Sequence, residues 1–238
     1  MQIITRKATL VIGNPYIQDG LIAMYDGIWN AGLGKHNSAA TTWRDLTGNG
    51  YDAVRYGAPS WGDNCAVLHG GIDSFRTGSL FGMPKDVTLE VVYHADIISS
   101  PQYIPAGCTQ NGGYSIWMTS SSTQYFCKGF AYPLSVSGDG DTVGVRVTRT
   151  LAVGTGSGMK VYHDGNLVGS KNGGGPIIYN KNCGFNIGAD SSGSPWGIEY
   201  PLVGVIYCVR IYNRALRSDE IQHNYEIDRE RFTLSPSP

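Results

Sequence analysis

The carboxylate string with the clearest catalytic spacing lies near the end of the chain, at residues 226–230 (EIDRE). On a β-strand, E-x-D-x-E would place three carboxylates on one face, where two of them could act as the acid and the nucleophile of glycoside hydrolysis. The surrounding pattern is helical, because Ile221, Tyr225 and Phe232 recur at helical spacing. Helical spacing splays the three carboxylates. We therefore interpret the string as a solvated, charged helix end and not as a catalytic site.

Other catalytic signatures are absent from the sequence. It contains no G-x-S-x-G motif for a nucleophilic serine. The stretch GTGSG at 154–158 does not open a predicted helix, so we interpret it as a hairpin loop and not as a phosphate cradle. The histidines lie far apart, without the spacing of a zinc site: they are His36, His69, His94, His163 and His223. The sequence thus predicts a protein that is not an enzyme.

Aromatic residues in predicted loops offer a different chemistry, that of sugar binding. A flat ring presents an apolar face to sugar C–H groups, and Trp and Tyr add a polar edge. Packing against local structure is the alternative for each ring, whereas Trp43 and Trp117 are expected in the core. The first candidate lies in the polar stretch SSGSPWGIEY. The candidate ligand-binding residues are Trp196, Trp61, Tyr103, Tyr132 and Trp29.

Composition indicates how such loops are supported. Glycine accounts for 33 of 238 residues and charged residues for 16%, against roughly 7% and 25% in average chains. Many turns between short strands fit this profile, and a helical bundle does not, because interior glycine destabilises helices. The net charge of −1 without a long basic run argues against a nucleic-acid partner. No apolar run is long enough to cross a membrane, and we expect no signal peptide in residues 1–14, because their apolar run is short and lacks a small-residue cleavage site.

Short apolar or alternating runs, separated by Gly, Asn, Asp, Ser and Pro, predict an antiparallel β-sandwich. The predicted strands cover 21–25, 65–69, 87–93, 114–118, 124–130, 142–149, 159–163 and 202–212. Asp164-Gly165 predicts the turn of a hairpin over 159–168. The run 202–212 is apolar on both faces, so we expect a central strand that is covered on both sides.

One helix is predicted over about 218–230, with Ser218 as its N-cap and acidic residues in its first turn. We expect an arm at 1–14, one domain at 15–232 and a flexible tail at 233–238. The five cysteines form no C-x-x-C pair, and their odd number leaves at least one thiol free or paired between chains. We interpret them as small buried apolar groups. They are Cys65, Cys108, Cys127, Cys183 and Cys208.

Three blocks together resemble the concanavalin A-like, laminin-G-type jelly rolls. They are 21–53, with LIAMYDG, TTWRDLTGNG and YDA; the hairpin MKVYHDGNLVG at 159–169; and FNIGAD at 185–190, followed by the ending at 202–225. The resemblance implies an all-β antiparallel sandwich with one short C-terminal helix. It also implies a structural ending, in which Arg210 lies on the last core strand and Leu216 and Ile221 seat the helix. Hydrolases of this fold carry E-x-D-x-E in mid-chain on a strand, and the string at 226–230 departs from that position.

The resemblance also implies a candidate cofactor, because laminin-G-type folds often hold calcium near loop tips through hard oxygen ligands. The alternative for each cluster is a tight turn in which Asp accepts backbone N–H groups. The candidate clusters are Asp45, Asn49 and Asp52; Asp139 and Asp141; and Asp190.

This superfamily hosts several functions, so the resemblance is specific for fold and not for activity. We expect a non-catalytic display or binding module on a phage virion or outside the cell, whose lectin-like domain binds glycans or a host surface. Residues 1–14 would dock it onto a capsid or tail protein by strand addition. A free-standing bacterial carbohydrate-binding module is the first alternative, and a glycoside hydrolase is the second. The sequence leaves a homo-oligomer open.

Overall fold

The computed structural model describes residues 14–79, 81–82, 84–97, 103–108, 113–118, 123–128, 134–138, 142–173, 177–179, 184–190, 198 and 200–232. For residues 103–104, 123–128 and 134–138 it describes the backbone alone. The expected arm at 1–14, except Asn14, and the expected tail at 233–238 lie outside these ranges. No helix in the described part of the chain has the length and apolar character that crossing a membrane needs.

Two antiparallel sheets form a sandwich in the described part of the chain. The first sheet consists of β1 (Leu21–Asp26), β4 (Ser60–Trp61), β5 (Ala66–His69), β7 (Val87–Ala95), β12 (Val147–Gly154), β13 (Gly158–His163), β14 (Asn166–Lys171) and β16 (Val203–Tyr212). The second sheet consists of β2 (Thr42–Trp43), β3 (Ala53–Tyr56), β6 (Ser74–Thr77), β8 (Tyr103–Cys108), β9 (Gly113–Met118), β10 (Thr123–Lys128), β11 (Leu134–Gly138) and β15 (Asn186–Ile187). The sandwich predicted from the sequence is confirmed.

The spatial order of the strands brings distant parts of the chain together. The first sheet runs β14-β13-β12-β7-β16-β5-β4, with β1 also paired to β16. The second runs β11-β10-β9-β8-β15-β6-β3-β2. Alternate side chains of both sheets fill one core between them. As predicted, β16 is central, and most of its residues are buried on both faces.

One predicted strand is displaced. The sequence predicts an extended run at 142–149, but β12 begins at Val147 and continues to Gly154. Residues before it turn instead: Gly144 has a φ of +71°, and its N–H donates to the carbonyl of Ala95 at 2.8 Å. The expected hairpin at Asp164-Gly165 is confirmed, since both residues have positive φ, +48° and +77°.

Helix α1 (Ser218–Arg231) lies where the sequence predicts a helix, but its N-cap differs. Arg217 holds that position with an extended backbone, and its N–H donates to the Glu220 carboxylate at 2.8 Å. Ser218 is the first helical residue, and its hydroxyl instead contacts the hydroxyl of Tyr162 at 3.1 Å. The Glu220 carboxylate reaches back from the third helical position, so Ser218 need not cap the helix.

Candidate functional site

A buried ion network ties α1 to the outer face of the first sheet. Arg210 on β16 is fully buried, and its Nε donates to Glu90 of β7 at 2.8 Å. Its two terminal nitrogens, Nη1 and Nη2, bind both oxygens of Asp228 on α1, at 2.7 and 2.6 Å. Asn224 of α1 donates to the same Glu90 carboxylate at 2.8 Å. The network therefore joins two neighbouring strands to the helix that covers them.

A second ring of contacts extends this network toward the chain segment before β1. The hydroxyl of Tyr16 donates to Asp228 at 2.8 Å, and the Arg210 guanidinium lies 4.0 Å from the centre of the Tyr16 ring. Arg231 pairs with the buried Asp26 at 2.8 Å and lies 4.5 Å from the centre of the Trp29 ring. The first sheet's outer face is thus closed by α1 and its partners.

The carboxylate string at 226–230 takes its role from this network. Asp228 is fully buried and bound by Arg210 and Tyr16, so the expectation of a solvated helix end is wrong at this residue. Helical periodicity turns Asp228 toward the sheet while Glu226 and Glu230 do not share its burial. Burial raises the pKa of Glu90, with Asp228 adding to that effect and Arg210 opposing it. The arrangement stabilises the fold and offers no open position to a substrate.

The predicted calcium cluster at the loop before β3 is a network of turn hydrogen bonds. The Asp45 carboxylate accepts the N–H groups of Met24 at 3.1 Å and Thr47 at 3.0 Å, and also the Thr47 hydroxyl at 2.8 Å. Asp52 accepts the N–H of Asp45 at 2.9 Å and also pairs with Arg44. Donors already occupy these oxygens, so the described conformation fits a turn and does not fit a cation.

Of the remaining calcium candidates, the structure describes Asn49 and Asp190. The Asn49 amide donates to the carbonyl of Ile22 at 3.0 Å, Asp190 is buried, and Asp139 and Asp141 lie outside the described residues. Among the described residues, no three His, Cys, Asp or Glu side chains are grouped to hold a metal. Calcium binding at Asp139 and Asp141 stays a prediction.

Trp61 and Trp29, the two predicted loop aromatics whose side chains the structure describes, lie in different surroundings. Trp61 is half-buried against Trp43 and Phe75, with ring centres 5.1 and 5.0 Å apart, and its indole N–H donates to the carbonyl of Ala40 at 2.8 Å. Trp29 lies on the other sheet's side, against Arg231. Both rings therefore have packing roles. Tyr103 lies in β8, but its side chain is not described, and Tyr132 and Trp196 lie outside the described residues.

The outer face of the second sheet carries a row of residues that the sequence did not single out. Register pairs Arg76 of β6 with Asn186 of β15, Asn186 with Gly107 of β8, and Gly107 with Ser115 of β9. Directly paired residues share a face, and their chain neighbours Phe75, Ile187, Ala106 and Ile116 fill the core. We call Arg76, Asn186, Gly107 and Ser115 the polar row.

Several polar side-chain atoms of the polar row are buried and lack a hydrogen-bond partner in the described part of the chain. Arg76 is 9% exposed, Asn186 2% and Ser115 0%. The Nε and Nη2 of Arg76, the Nδ2 of Asn186 and the Oγ of Ser115 have no hydrogen-bond partner in the described part of the chain. The hydroxyl of Ser74, two residues from Arg76 on the same face, is in the same condition. Such groups cost about 1–3 kcal/mol each when left unsatisfied, so they call for a partner such as a water molecule or a ligand.

Aromatic rings flank this floor on both sides. Tyr56 of β3 is 44% exposed, and the Arg76 guanidinium lies 3.8 Å from its ring centre. Trp117 of β9 is half-buried and stacks on Tyr200, with ring centres 6.2 Å apart and planes 17° from parallel. Tyr200 has a φ of +54°, a rare conformation for a bulky residue. The expectation that Trp117 belongs to the core is wrong, because Tyr114, Ile116 and Met118 take the inward positions of β9.

Two further features shape this face. A Cβ at Gly107 would lie 2.3 Å from the Cβ of Ser115, so only glycine lets β8 and β9 approach this closely within the polar row. Beyond Arg76, the register continues through Val54 to Thr42, which lines a cavity of about 240 Å³ at the sheet edge. The second sheet's outer face thus combines a polar floor, aromatic sides and a recess at one end.

Sequence reasoning missed this site for a physical reason. Four strands supply the polar row, and positions 76, 107, 115 and 186 become neighbours only through strand order and register. A signal existed on β9, since G-Y-S-I-W-M alternates and places Ser115 with Trp117 opposite the three large apolar residues. No comparable local signal marks Arg76 or Asn186.

Solved structures share this fold at low sequence identity. Domain 4 of AbnA, an extracellular arabinanase from Geobacillus stearothermophilus solved with arabinotriose, superimposes with a TM-score of 0.65 and 18% identity, covering 85% of this chain and 96% of that domain. A Trypanosoma rangeli sialidase in complex with sialic acid matches at 0.62 and 16%, covering 89% of this chain. The receptor-binding domain of botulinum neurotoxin C/D mosaic serotype matches at 0.65 and 16%, covering 88%.

The chain spans one third of the sialidase and about half of the toxin fragment, at 33% and 52% of their lengths. At these identities the likeness shows the fold alone. A comparison with curated protein sequences gives no match. The sequence model of one family matches residues 70–222, more than half of the chain. The resemblance inferred from the sequence is confirmed: the chain belongs to the laminin-G-type family of the concanavalin A-like lectin/glucanases superfamily.

Proposed function

We propose that this protein is a non-catalytic glycan-binding domain and that the sugar binds on the outer face of the second sheet. The observation that carries the proposal is the polar row, whose buried donors lack partners in the described part of the chain and are flanked by the exposed Tyr56 ring and the half-buried Trp117 ring. Sugars offer both complements, since their hydroxyl groups satisfy buried donors and acceptors while their C–H faces pack on aromatic rings.

The residues of this face include polar groups suited to sugar hydroxyls and aromatic rings suited to sugar C–H faces. Ser74, Ser115 and the Asn186 amide would exchange hydrogen bonds with ring hydroxyls, each gaining a partner that it lacks in the described part of the chain. Trp117 on β9 and Tyr56 on β3 are four strand spacings apart, roughly 19 Å, so each would pack on a different ring of an oligosaccharide that crosses the polar row. A mostly preformed floor with a few placed polar groups is typical of ligand sites.

Binding without hydrolysis is favoured by the composition of the floor. Glycosidases of the common type need two carboxylates about 5–9.5 Å apart, and the polar row contributes none. Asp228, the central acid of the string at 226–230, is held by Arg210 on the outer face of the other sheet. The similar folds also support the proposal, because one of those structures was solved with arabinotriose and another with sialic acid.

Finer parts of the proposal remain predictions. Trp196, Tyr132 and Tyr103 are proposed as further sugar contacts, and calcium at Asp139 and Asp141 as a cofactor. We also retain display on a virion, with residues 1–14 docking to a capsid or tail protein, and deletion of those residues should release the protein from the particle while the sandwich stays folded.

The test is a glycan array followed by titration calorimetry with the best-bound glycan. Trp117→Ala should weaken binding at least tenfold, which is about 1.4 kcal/mol, and Tyr56→Ala should weaken it as well. Tyr225→Ala removes a half-buried ring from α1, on the other side of the molecule, and is the matched control with unchanged affinity.

Two further measurements in the same experiment test the predictions of calcium binding and of a sugar contact at Trp196. Loss of signal in EDTA would place calcium in the site, and loss in Trp196→Ala would add that residue to it. A folded protein that binds no glycan, or one whose affinity is the same in Trp117→Ala and Tyr56→Ala as in Tyr225→Ala, would overturn the proposal.

A further inference from the structure

Arg76 is the feature of the polar row that a neutral sugar explains least well. Its guanidinium is a permanent positive charge at 9% exposure. No ion pair joins it to a carboxylate of the described residues, and its cross-strand neighbours are Val54 and Asn186. The Tyr56 ring, 3.8 Å away, covers one side of the guanidinium. A charge withdrawn from water without an opposite charge is costly.

Two other guanidinium groups that are largely withdrawn from water, those of Arg210 and Arg231, show the contrast. Arg210 has Glu90 and Asp228 within 2.8 Å, and Arg231 has Asp26 at 2.8 Å. At these two positions the chain itself supplies the carboxylate. Arg76 is held by strand register on an outer face and has none among the described residues, which indicates that its opposite charge comes from outside the chain.

The positions of the unpartnered atoms indicate what shape of negatively charged group would fit Arg76. Nε and Nη2 lie on the same edge of a guanidinium plane, and both are the unpartnered nitrogens of Arg76 in the described part of the chain. Two parallel N–H groups on one edge match the two oxygens of a carboxylate in a bidentate pair. Asn186, opposite Arg76 on the next strand, can direct its own Nδ2 to a neighbouring oxygen.

Resting on the proposed function, we propose that the glycan recognised by this face carries a carboxylate, as uronic and sialic acids do, and that Arg76 binds that carboxylate through Nε and Nη2. The aromatic rings then hold the sugar body, and Arg76 selects acidic sugars over neutral ones of the same shape. Uronic and sialic acids share this group, and the experiment separates them.

The experiment is titration calorimetry with matched acidic and neutral probes. Tri-galacturonic acid is compared with its methyl ester, and sialyllactose with lactose. The intact protein should bind one acidic probe at least tenfold more tightly than its neutral counterpart, and added salt should weaken that binding. The pair that shows the difference identifies the kind of acid.

Arg76→Gln should remove this preference, reducing affinity for the acidic probe about tenfold or more and leaving affinity for the neutral probe within twofold. Arg55→Gln is the matched control, because Arg55 is exposed on the adjacent strand and pairs in register with Phe75, which faces the core. It removes the same charge from the other side of β3 and should leave the preference intact. Thermal unfolding of both variants checks that each is folded.

Failure of this inference is distinguishable from failure of the proposed function. Equal binding of the acidic and neutral probes, lost in Trp117→Ala, would overturn the carboxylate and retain the glycan site. Binding of a sulfated glycan such as heparin, with neither carboxylate pair discriminated, would overturn it in favour of a sulfate. No binding of any probe by folded protein would overturn both.

Discussion

Arg210 and Arg76 are both withdrawn from water, but their surroundings give the two guanidinium groups different roles. Arg210 meets two carboxylates and a tyrosine ring and forms part of the structure. Arg76 meets a tyrosine ring and no described carboxylate. Buried charges in proteins are stabilised by pairing. At the scale of single residues, the difference between a structural and a binding arginine is therefore the presence of the opposite charge within the chain.

The Glu90 carboxyl should make the stability of the protein depend on pH. Burial raises its pKa, with Arg210 opposing and Asp228 adding to the effect. A raised pKa means that the folded state holds the proton more tightly, so the stability gained is full below about pH 4, the unfolded value. It is lost as pH rises through the folded pKa. Relative to Glu90→Gln, the free energy of unfolding should therefore fall with rising pH, by up to ~1.4 kcal/mol per unit.

Urea unfolding of both proteins between pH 4.5 and 8 measures this difference. The glutamine side chain of the variant retains an oxygen for the Arg210 Nε–H, so the shape of the site is kept. Asp26, whose pKa burial also raises, is present in both proteins and cancels. A difference that stays flat or grows with pH would show that Glu90 is no better protonated in the folded state than in the unfolded one.

The docking of α1 onto the first sheet rests on one side of the helix. Asp228 is fully buried and bound to Arg210 and Tyr16, whereas Glu226 lies at the surface, where it pairs with Arg229 of the same helix. Asp228→Ala should lower the free energy of unfolding by about 3–5 kcal/mol, because it leaves part of the Arg210 guanidinium buried without its partner.

Glu226→Ala is the matched control from the same string and should change stability by no more than about 0.5 kcal/mol. Denaturant unfolding followed by circular dichroism compares the two. Similar losses in both variants would mean that the carboxylates at 226–230 act through general helix charge and not through the Arg210 network.

Individual elements were largely predictable from the sequence, and their joint surfaces were not. An apolar and partly alternating run located β7, a run that is apolar on both faces located β16, the Asp164-Gly165 pair located the hairpin turn, and helical spacing located α1. These signals are local, since each depends on a few adjacent side chains. The strand prediction is wrong at residues 142–146. The apolar and polar side chains alternate there, but Gly144 has a positive φ and the segment forms a turn.

The candidate site was hidden because it depends on pairing between strands. Arg76 and Asn186 are 110 positions apart in sequence, and register alone makes them neighbours. Loop aromatics attract attention in a sequence, yet Trp61 packs on Trp43 and Phe75. Trp117, expected inside, faces outward because its chain neighbours take the core positions. The residues that share a sheet face depend on strand order and register, and a single sequence specifies these only indirectly.

At the scale of the whole molecule, the outer faces of the two sheets have different roles. The outer face of the first sheet is closed by α1 and the Arg210 network, while that of the second presents the polar row and its rings. Both inner faces supply the common core. Stability and the proposed binding are therefore placed on opposite outer surfaces, separated by the roughly 10 Å between packed sheets and by the sheets themselves.

This separation predicts that the two surfaces act independently. Arg76→Met removes a buried charge that has no carboxylate partner among the described residues and should raise the free energy of unfolding by about 1 kcal/mol, since the desolvation cost exceeds the ~1 kcal/mol lost with the Tyr56 contact. Asp228→Asn should lower it. Urea unfolding of the wild type, both single variants and the double variant gives the coupling energy, which should lie within about 0.5 kcal/mol of zero. A coupling above about 1 kcal/mol would mean that the core transmits strain between the outer faces, and that a ligand bound on the second sheet also alters the docking of α1 on the first.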